Sequence, residues 1–313
     1  MSAGLYLIFR FYQARTIWEV YHRMQTTKKM PKKNVSIAIP ASMISETPHL
    51  REKTAKIGYV GRAAAIFRVN EIIVYADNPK INQRSDLELI ELLLCYMDTP
   101  QYLRKALFGL QPDLQFAGIL PPLRTPHHPL SGKIRDLKIG DHREGIAVSK
   151  SNLGTQVEIG SERPAILPKA QIDPDTRVTV RIVKIAGRAE VELARRNDIP
   201  DYWGYGVYVE KRSLGALLDS GEFDLTIATS KFADRFHDVS NALIAKWKNA
   251  NNVVVLFGAP ARGLHEIAKD EGKNLADQVD FLINAIPNQG TETVRTEEAL
   301  IATLAVLNAQ FDI

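Results

Sequence analysis

Apolar and polar positions follow two distinct patterns along the chain. From residue 34, compact apolar runs alternate with longer segments of helical spacing. Residues 35–39 (VSIAI) and 71–76 (EIIVYA) predict strands, and residues 48–69, 87–97 and 101–108 predict helices. Residues 120–129 (LPPLRTPHHP) hold four prolines in ten residues and mark a boundary. Beyond it, residues 144–149, 155–159, 164–167, 177–185 and 188–193 are short, partly alternating runs separated by Gly, Pro, Asn and Asp, which predicts a small antiparallel barrel. The first texture then returns, with strands at 223–228, 253–257 and 281–283 and helices at 233–248, 264–270 and from 296 onward. The predicted fold class is α/β, a parallel sheet with helices interrupted by an inserted β-barrel whose leading candidate is an OB-fold. The predicted division is a basic N-terminal arm or helix (1–33), a split α/β domain (34–125 and 204–313) and an inserted barrel (126–203).

Three strand-to-helix loops are candidates for chemistry. In residues 279–300 (VDFLINAIPNQGTETVRTEEAL) a short strand stops at Pro287 and Gly290, runs through small polar residues and enters a helix at a capping-type Thr-Glu-Glu. Such a loop leaves backbone amides and carbonyls unpaired, which suits a polar small molecule. Residues 256–264 (LFGAPARGL) form a second loop of the same kind, and Thr229 and Ser230, after DLTIA, a third. Open α/β sheets bind ligands beyond the carboxyl ends of their strands, so three converging loops strengthen the case. No GxGxxG, GxxxxGK[ST] or GxSxG occurs in a matching context, which disfavours NAD, P-loop and nucleophile-elbow chemistry.

Composition narrows the picture. With 45% hydrophobic and 24% charged residues and a single cysteine, Cys95, the chain reads as globular, with neither a disulfide framework nor a cysteine metal site. A reducing compartment, the cytoplasm, is expected, and no apolar run is long enough for a membrane span. The net charge of +4 is unevenly placed: residues 1–33 hold seven Lys/Arg against one acid, and the remainder 33 against 35. That arm reads as an extra helix, as a segment touching RNA phosphates, or as a signal peptide that Arg10 and a missing cleavage site argue against. His127 and His128, in the proline-rich linker, read as surface residues rather than metal ligands. Arg62 sits in GYVGRAAAIFRV, a helix with a thin surface of Gly and Ala, and serves either as a phosphate or nucleophile partner or as half of a surface ion pair.

Three stretches, 56–77 (KIGYVGRAAAIFRVNEIIVYAD), 253–264 (VVVLFGAPARGL) and 281–300 (FLINAIPNQGTETVRTEEAL), resemble the SPOUT superfamily of RNA methyltransferases, and most closely the archaeal and eukaryotic branch with an OB-fold insertion. RAAAIFRV places Arg62 on the motif arginine, FGAPARGL resembles the Gly-rich second motif, and NQGTETVRTEEAL resembles the third. The resemblance implies a deep C-terminal trefoil knot, S-adenosylmethionine (S-adenosyl-L-methionine) as cofactor without a metal, an RNA substrate (rRNA or tRNA), and a homodimer whose partner completes the active site. Ala259 and Ala261 stand where many relatives carry an acid and a Gly. The implied cofactor residues are Thr229, Ser230, Phe257, Gly258, Ala259, Pro260, Gly263, Asn284, Ile286, Pro287, Gln289, Gly290, Val294 and Thr296. The implied catalytic groups are Arg62 for charge stabilisation, Glu292 as general base or as a loop hydrogen-bond partner, and Arg295 as phosphate clamp. The barrel, with thirteen Lys/Arg against ten acids over 131–200, is expected to grip RNA by shape and phosphate contact. The alternative function is a noncatalytic RNA-binding or ribosome-assembly factor that keeps the knot.

Overall fold

Val253, Val254, Val255 and Leu256 are all fully buried, the pattern of a strand covered on both faces. In a computed structural model, which describes residues 33–311, this run is the middle of a parallel sheet. The basic arm expected over residues 1–33 lies, up to residue 32, outside the described residues.

In chain order the elements are β1 (Asn34–Pro40), α1 (Leu50–Ile66), β2 (Glu71–Tyr75), α2 (Arg84–Asp98), α3 (Gln101–Phe108), β3 (His142–Ser151), β4 (Gly154–Glu158), β5 (Ala165–Pro168), β6 (Arg177–Ile185) and β7 (Ala189–Leu193). They continue with β8 (Gly206–Glu210), α4 (Leu214–Leu218), β9 (Leu225–Thr229), α5 (Phe236–Asn249), β10 (Asn252–Leu256), α6 (Leu264–Asp270), α7 (Leu275–Gln278), β11 (Phe281–Ile283) and α8 (Thr296–Phe311). The described residues form two compact units. One comprises residues 33–98, 113–123 and 204–311, the other residues 99–112 and 124–203.

The first unit holds a six-stranded sheet in the order β11-β9-β10-β1-β2-β8, parallel throughout. One face buries Ala38, Ile73, Tyr75, Val254 and Leu256 against Leu214 and Leu217 of α4, Leu264 and Ile267 of α6 and Leu275 of α7. The edge strand β8 has no counterpart in the sequence reading, since GVYVE is short and follows directly on the insert. At its two glycines the thin surface of α1 meets side chains. A Cβ on Gly61 would lie 2.6 Å from the Tyr205 hydroxyl and 3.0 Å from Met97 Cε.

The second unit closes β3-β4-β5-β7-β6 into a five-stranded barrel. Its pairings are antiparallel except β5 with β7. Val157, Ile159, Leu167, Val180, Ile182 and Val191 fill its interior. A charged group is also buried in this unit. The Glu144 carboxylate accepts from Arg177 Nε (2.8 Å), Thr179 Oγ1 (2.9 Å) and Trp203 Nε1 (2.5 Å), and Tyr102 OH donates to its main-chain oxygen (2.7 Å). His127, expected at the surface, is only 1% exposed, with its ring 5.7 Å from Trp203. The second half of the proline-rich stretch, from Arg124, therefore packs as part of this unit instead of running free.

Burial pushes the Glu144 carboxyl up, but the charge and hydrogen bond of Arg177, the neighbouring His127 and the hydrogen bond from Trp203 together outweigh it and hold the group below its ordinary value. A lowered folded-state pKa means the stabilisation is complete above the ordinary carboxylate range and is lost as pH falls through the lowered value. Glu144→Gln should therefore cost about 1.5–3 kcal/mol at neutral pH, as expected for hydrogen bonds to a charged group. Denaturant melts followed by tryptophan fluorescence should show that difference shrinking in acid; a pH-independent difference would assign the loss to packing alone.

Candidate functional site

The sheet order sets three strand ends side by side. β9 lies between β11 and β10, with Ala228 opposite Leu256 and Thr229 opposite Ile283, so the loops after these strands leave the same edge together. Short polar residues then tie them. Thr229 Oγ1 donates to Leu256 O (2.9 Å), and Ser230 N donates to Ile283 O (3.0 Å). Tyr75 OH donates to Phe257 O (2.7 Å), and Phe257 N donates to Ala38 O (2.9 Å), which fixes the start of the Gly-rich loop on the sheet. Within that loop Ala259 N donates to Arg262 O (2.9 Å), and Arg262 reaches Asp77 O (2.6 Å) and Asp270, anchoring the turn on both sides.

The start of α8 completes the enclosure. Glu298 accepts from Arg295 N (2.9 Å), half of a capping box. One residue on, Thr296 Oγ1 donates to Gly258 O (2.9 Å), which joins the last helix to the Gly-rich loop. Together these segments line a cavity of about 390 Å³, within the usual range of small-molecule sites. Its ionisable lining is limited to Lys231, His265 and Glu266; the rest is neutral side chain and backbone. The amides of Gly258, Gly263 and Val294 donate to no acceptor among the described residues. Unpaired main-chain donors around a neutral cavity suit a ligand with a purine-like edge.

Residues 34–307 match the protein family described as "putative RNA methyltransferase". The chain belongs to this RNA methyltransferase family. It is 34% identical over 285 residues to an uncharacterized protein of Haloarcula marismortui, covering 87% of this chain and 98% of that one. It is 34% identical over 307 residues to a mouse 28S rRNA (uridine-N(3))-methyltransferase, covering 87% of this chain and 75% of the relative. The human protein of the same name is 33% identical over 307 residues, covering 87% and 77%.

In this member of the family the structure brings together twelve of the fourteen expected cofactor residues: Thr229, Ser230, Phe257, Gly258, Ala259, Pro260, Gly263, Asn284, Ile286, Gln289, Val294 and Thr296 all line the cavity. Pro287 lines an adjoining cavity of about 450 Å³ with Arg235 and Val306. Gly290 lines neither, and a Cβ there would meet nothing within 4 Å. Glu292 and Arg295 are exposed and lie outside the lining. The Glu292 main-chain oxygen accepts from Lys231 Nζ (3.1 Å) and Gln289 Nε2 (3.1 Å). Arg62 is not part of the lining either. Its Nη1 donates to Pro122 O (2.9 Å) and Leu123 O (2.7 Å), and it has no ion pair among the described residues.

Several lining residues escaped the sequence reading. Ala299 and Thr303 fall three and seven positions after Thr296, on one helix face, so periodicity alone would have found them. Lys231, Phe232, His265 and Glu266 carry no comparable pattern. Glu297 is buried at the same helix start, and its Oε2 has no hydrogen-bond partner among the described residues.

The two loop glycines should behave differently. A Cβ on Gly258 would lie 2.9 Å from Leu264 N, 3.1 Å from Gly263 Cα and 3.2 Å from Arg262 O, all backbone atoms, so the turn must open. Gly258→Val should cost about 1–3 kcal/mol in thermal or denaturant melts, whereas Gly290→Val should stay within about 0.5 kcal/mol. The reverse ranking would mean that the turn at Gly258 is not the tight element of the site.

Proposed function

We propose that this chain is an S-adenosylmethionine-dependent methyltransferase that modifies N3 of a uridine in ribosomal RNA. The observation that carries the reading is the backbone-lined cavity at the ends of β9, β10 and β11, in a chain of the RNA methyltransferase family. The uridine assignment follows the activity for which the mouse and human relatives are named. Fit is favourable: the cavity has the size for such a cofactor, its walls are nearly neutral, and three amides are free for an adenine or ribose edge. When bound, S-adenosylmethionine supplies a methyl group on a positively charged sulfur.

The chain's own part is positioning and proton handling. Uridine N3 carries a proton that must leave before the nitrogen can act as nucleophile. Glu292, one residue before the lining residue Thr293, is the proposed acceptor of that proton at its carboxylate. Arg295, exposed at the start of α8, is the proposed phosphate clamp. Arg62 keeps Nε and Nη2 free of partners among the described residues and is the proposed charge stabiliser. Because it lies away from the cavity of its own chain, that role requires a second copy, and we propose a homodimer in which each chain completes the site of the other.

The same reading includes a trefoil knot of the SPOUT type. It is supported by the excursion of the chain from β10, inside β9, to β11, outside it, and by the return of Thr296 to the Gly258 carbonyl. The OB-fold reading of the barrel is supported by its strand order, first-second-third-fifth-fourth, with only the third and fifth strands parallel. We assign the barrel unit to RNA gripping and the sheet unit to methyl transfer.

Calorimetry with S-adenosylmethionine, combined with mass spectrometry of nucleosides from ribosomal RNA incubated with the protein, tests the reading. Saturable binding and a gain of 3-methyluridine are expected. Binding without any new methylated nucleoside would favour a noncatalytic assembly factor, and no binding would remove the methyltransferase. Arg62→Ala should lower turnover by about 100-fold or more, the usual effect of deleting one charge-stabilising donor, while leaving cofactor affinity near wild type. Equal losses in both would make Arg62 a structural residue.

A further inference from the structure

The loop after β9 presents an aromatic ring to solvent at the cavity. Phe232 is 82% exposed, yet it lines the mouth of the cavity. It does not hang on a loose loop. Ser230 Oγ accepts from Phe232 N (3.2 Å), and Asn284 Nδ2 donates to Lys231 O (3.0 Å). Asn284 N donates to Asp234 O (2.7 Å), while Asn284 O accepts from Phe236 N (3.0 Å). The main chain of the loop from Lys231 to Phe236 is thus clamped to Asn284 along its length.

Charge accompanies the ring. Lys231 Nζ lies 5.2 Å from the Phe232 ring centroid and uses one of its three donors on Glu292 O (3.1 Å). A clamped, exposed aromatic with an ammonium beside it is the arrangement that binds an unstacked nucleobase and its phosphate, because every base offers a π-face and every linkage a negative charge. An enzyme acting on a ring atom of a base must hold that base out of its stack.

We propose that Phe232 is the platform on which the target base of the RNA lies at the mouth of the cavity, with Lys231 on the adjacent phosphate. This inference rests on the reading of the chain as an RNA methyltransferase that uses S-adenosylmethionine, and it goes beyond that reading by naming where the base docks. Phe232 stacks on any base, so it positions the substrate, and base identity must be read elsewhere.

The test uses the full chain and large-subunit ribosomal RNA transcribed with 5-iodouridine, irradiated to crosslink stacked aromatics and mapped by mass spectrometry. A crosslink at residue 232 is expected in wild type and in Phe232→Tyr. Phe232→Ala, an exposed substitution that should leave the fold intact, should weaken RNA affinity roughly 5- to 150-fold, the range for losing one stacked base, with S-adenosylmethionine affinity unchanged by calorimetry. Phe232→Tyr should restore RNA affinity. A wild-type chain that binds S-adenosylmethionine but gives no crosslink at 232 overturns the inference alone, as does a Phe232→Ala variant with undiminished RNA affinity. A parallel loss of cofactor affinity would make the ring a cofactor wall, and a changed oligomeric state in light scattering would make it a subunit contact; either also overturns the inference. Failure of wild type to bind S-adenosylmethionine overturns the functional reading beneath it.

Discussion

The candidate site depends on one constraint: β9 must lie between β11 and β10 so that three strand ends open on the same edge. Each strand is short, five residues in β9 and β10 and three in β11, so the ladder alone leaves little to hold the loops in place. Hydrogen bonds from short polar residues carry the rest. The Thr229 hydroxyl bonds to the end of β10, the Ser230 main-chain amide to the end of β11, and the Thr296 hydroxyl to the Gly-rich loop, each within one or two residues of where a strand or helix stops. Threonine suits its two positions because its hydroxyl reaches a neighbouring carbonyl without filling the cavity. The free amides that remain are the groups left over once these ties are made.

The sheet and the barrel were legible because their strands carry the two periods expected of them. The continuous apolar run at 253–256 signals a strand buried on both faces, and the alternation in 177–185 signals one face in a small core. β8 was invisible because an edge strand of five residues carries too little pattern to separate it from the end of the insert. His127 misled because proline density marks an irregular path, which a chain can take while packed as well as while exposed. One ring beside it, Trp203, lies far away in sequence.

Site residues were legible in proportion to how local their reasons are. Gly258, Pro260 and Gly263 follow from a turn between a strand and a helix, and Thr296 from a helix start. Gly290 resembles them in sequence but meets no neighbour, because a glycine signals tight packing only where another backbone approaches. Arg62 could not be placed from its own segment, since the position of a long side chain depends on which carbonyls lie within reach, here those of Pro122 and Leu123. The basic count of the barrel overstates its free charge. Arg135 pairs with Asp136, Lys150 with Asp173, Arg177 with Glu144, Arg181 with Glu192 and Lys184 with Glu190, and Arg143 is buried, whereas Lys133, Lys138, Arg163, Lys169, Arg188, Arg195 and Arg196 have no ion pair among the described residues. Those seven are the cations left for phosphate.

Hydrogen–deuterium exchange of the full chain with and without S-adenosylmethionine tests the central claim, that the three strand-end loops form the cofactor site. The account predicts protection concentrated in residues 229–236, 257–264 and 283–296, with the barrel strands unchanged. Protection centred on the barrel, or none at saturating cofactor, would contradict it.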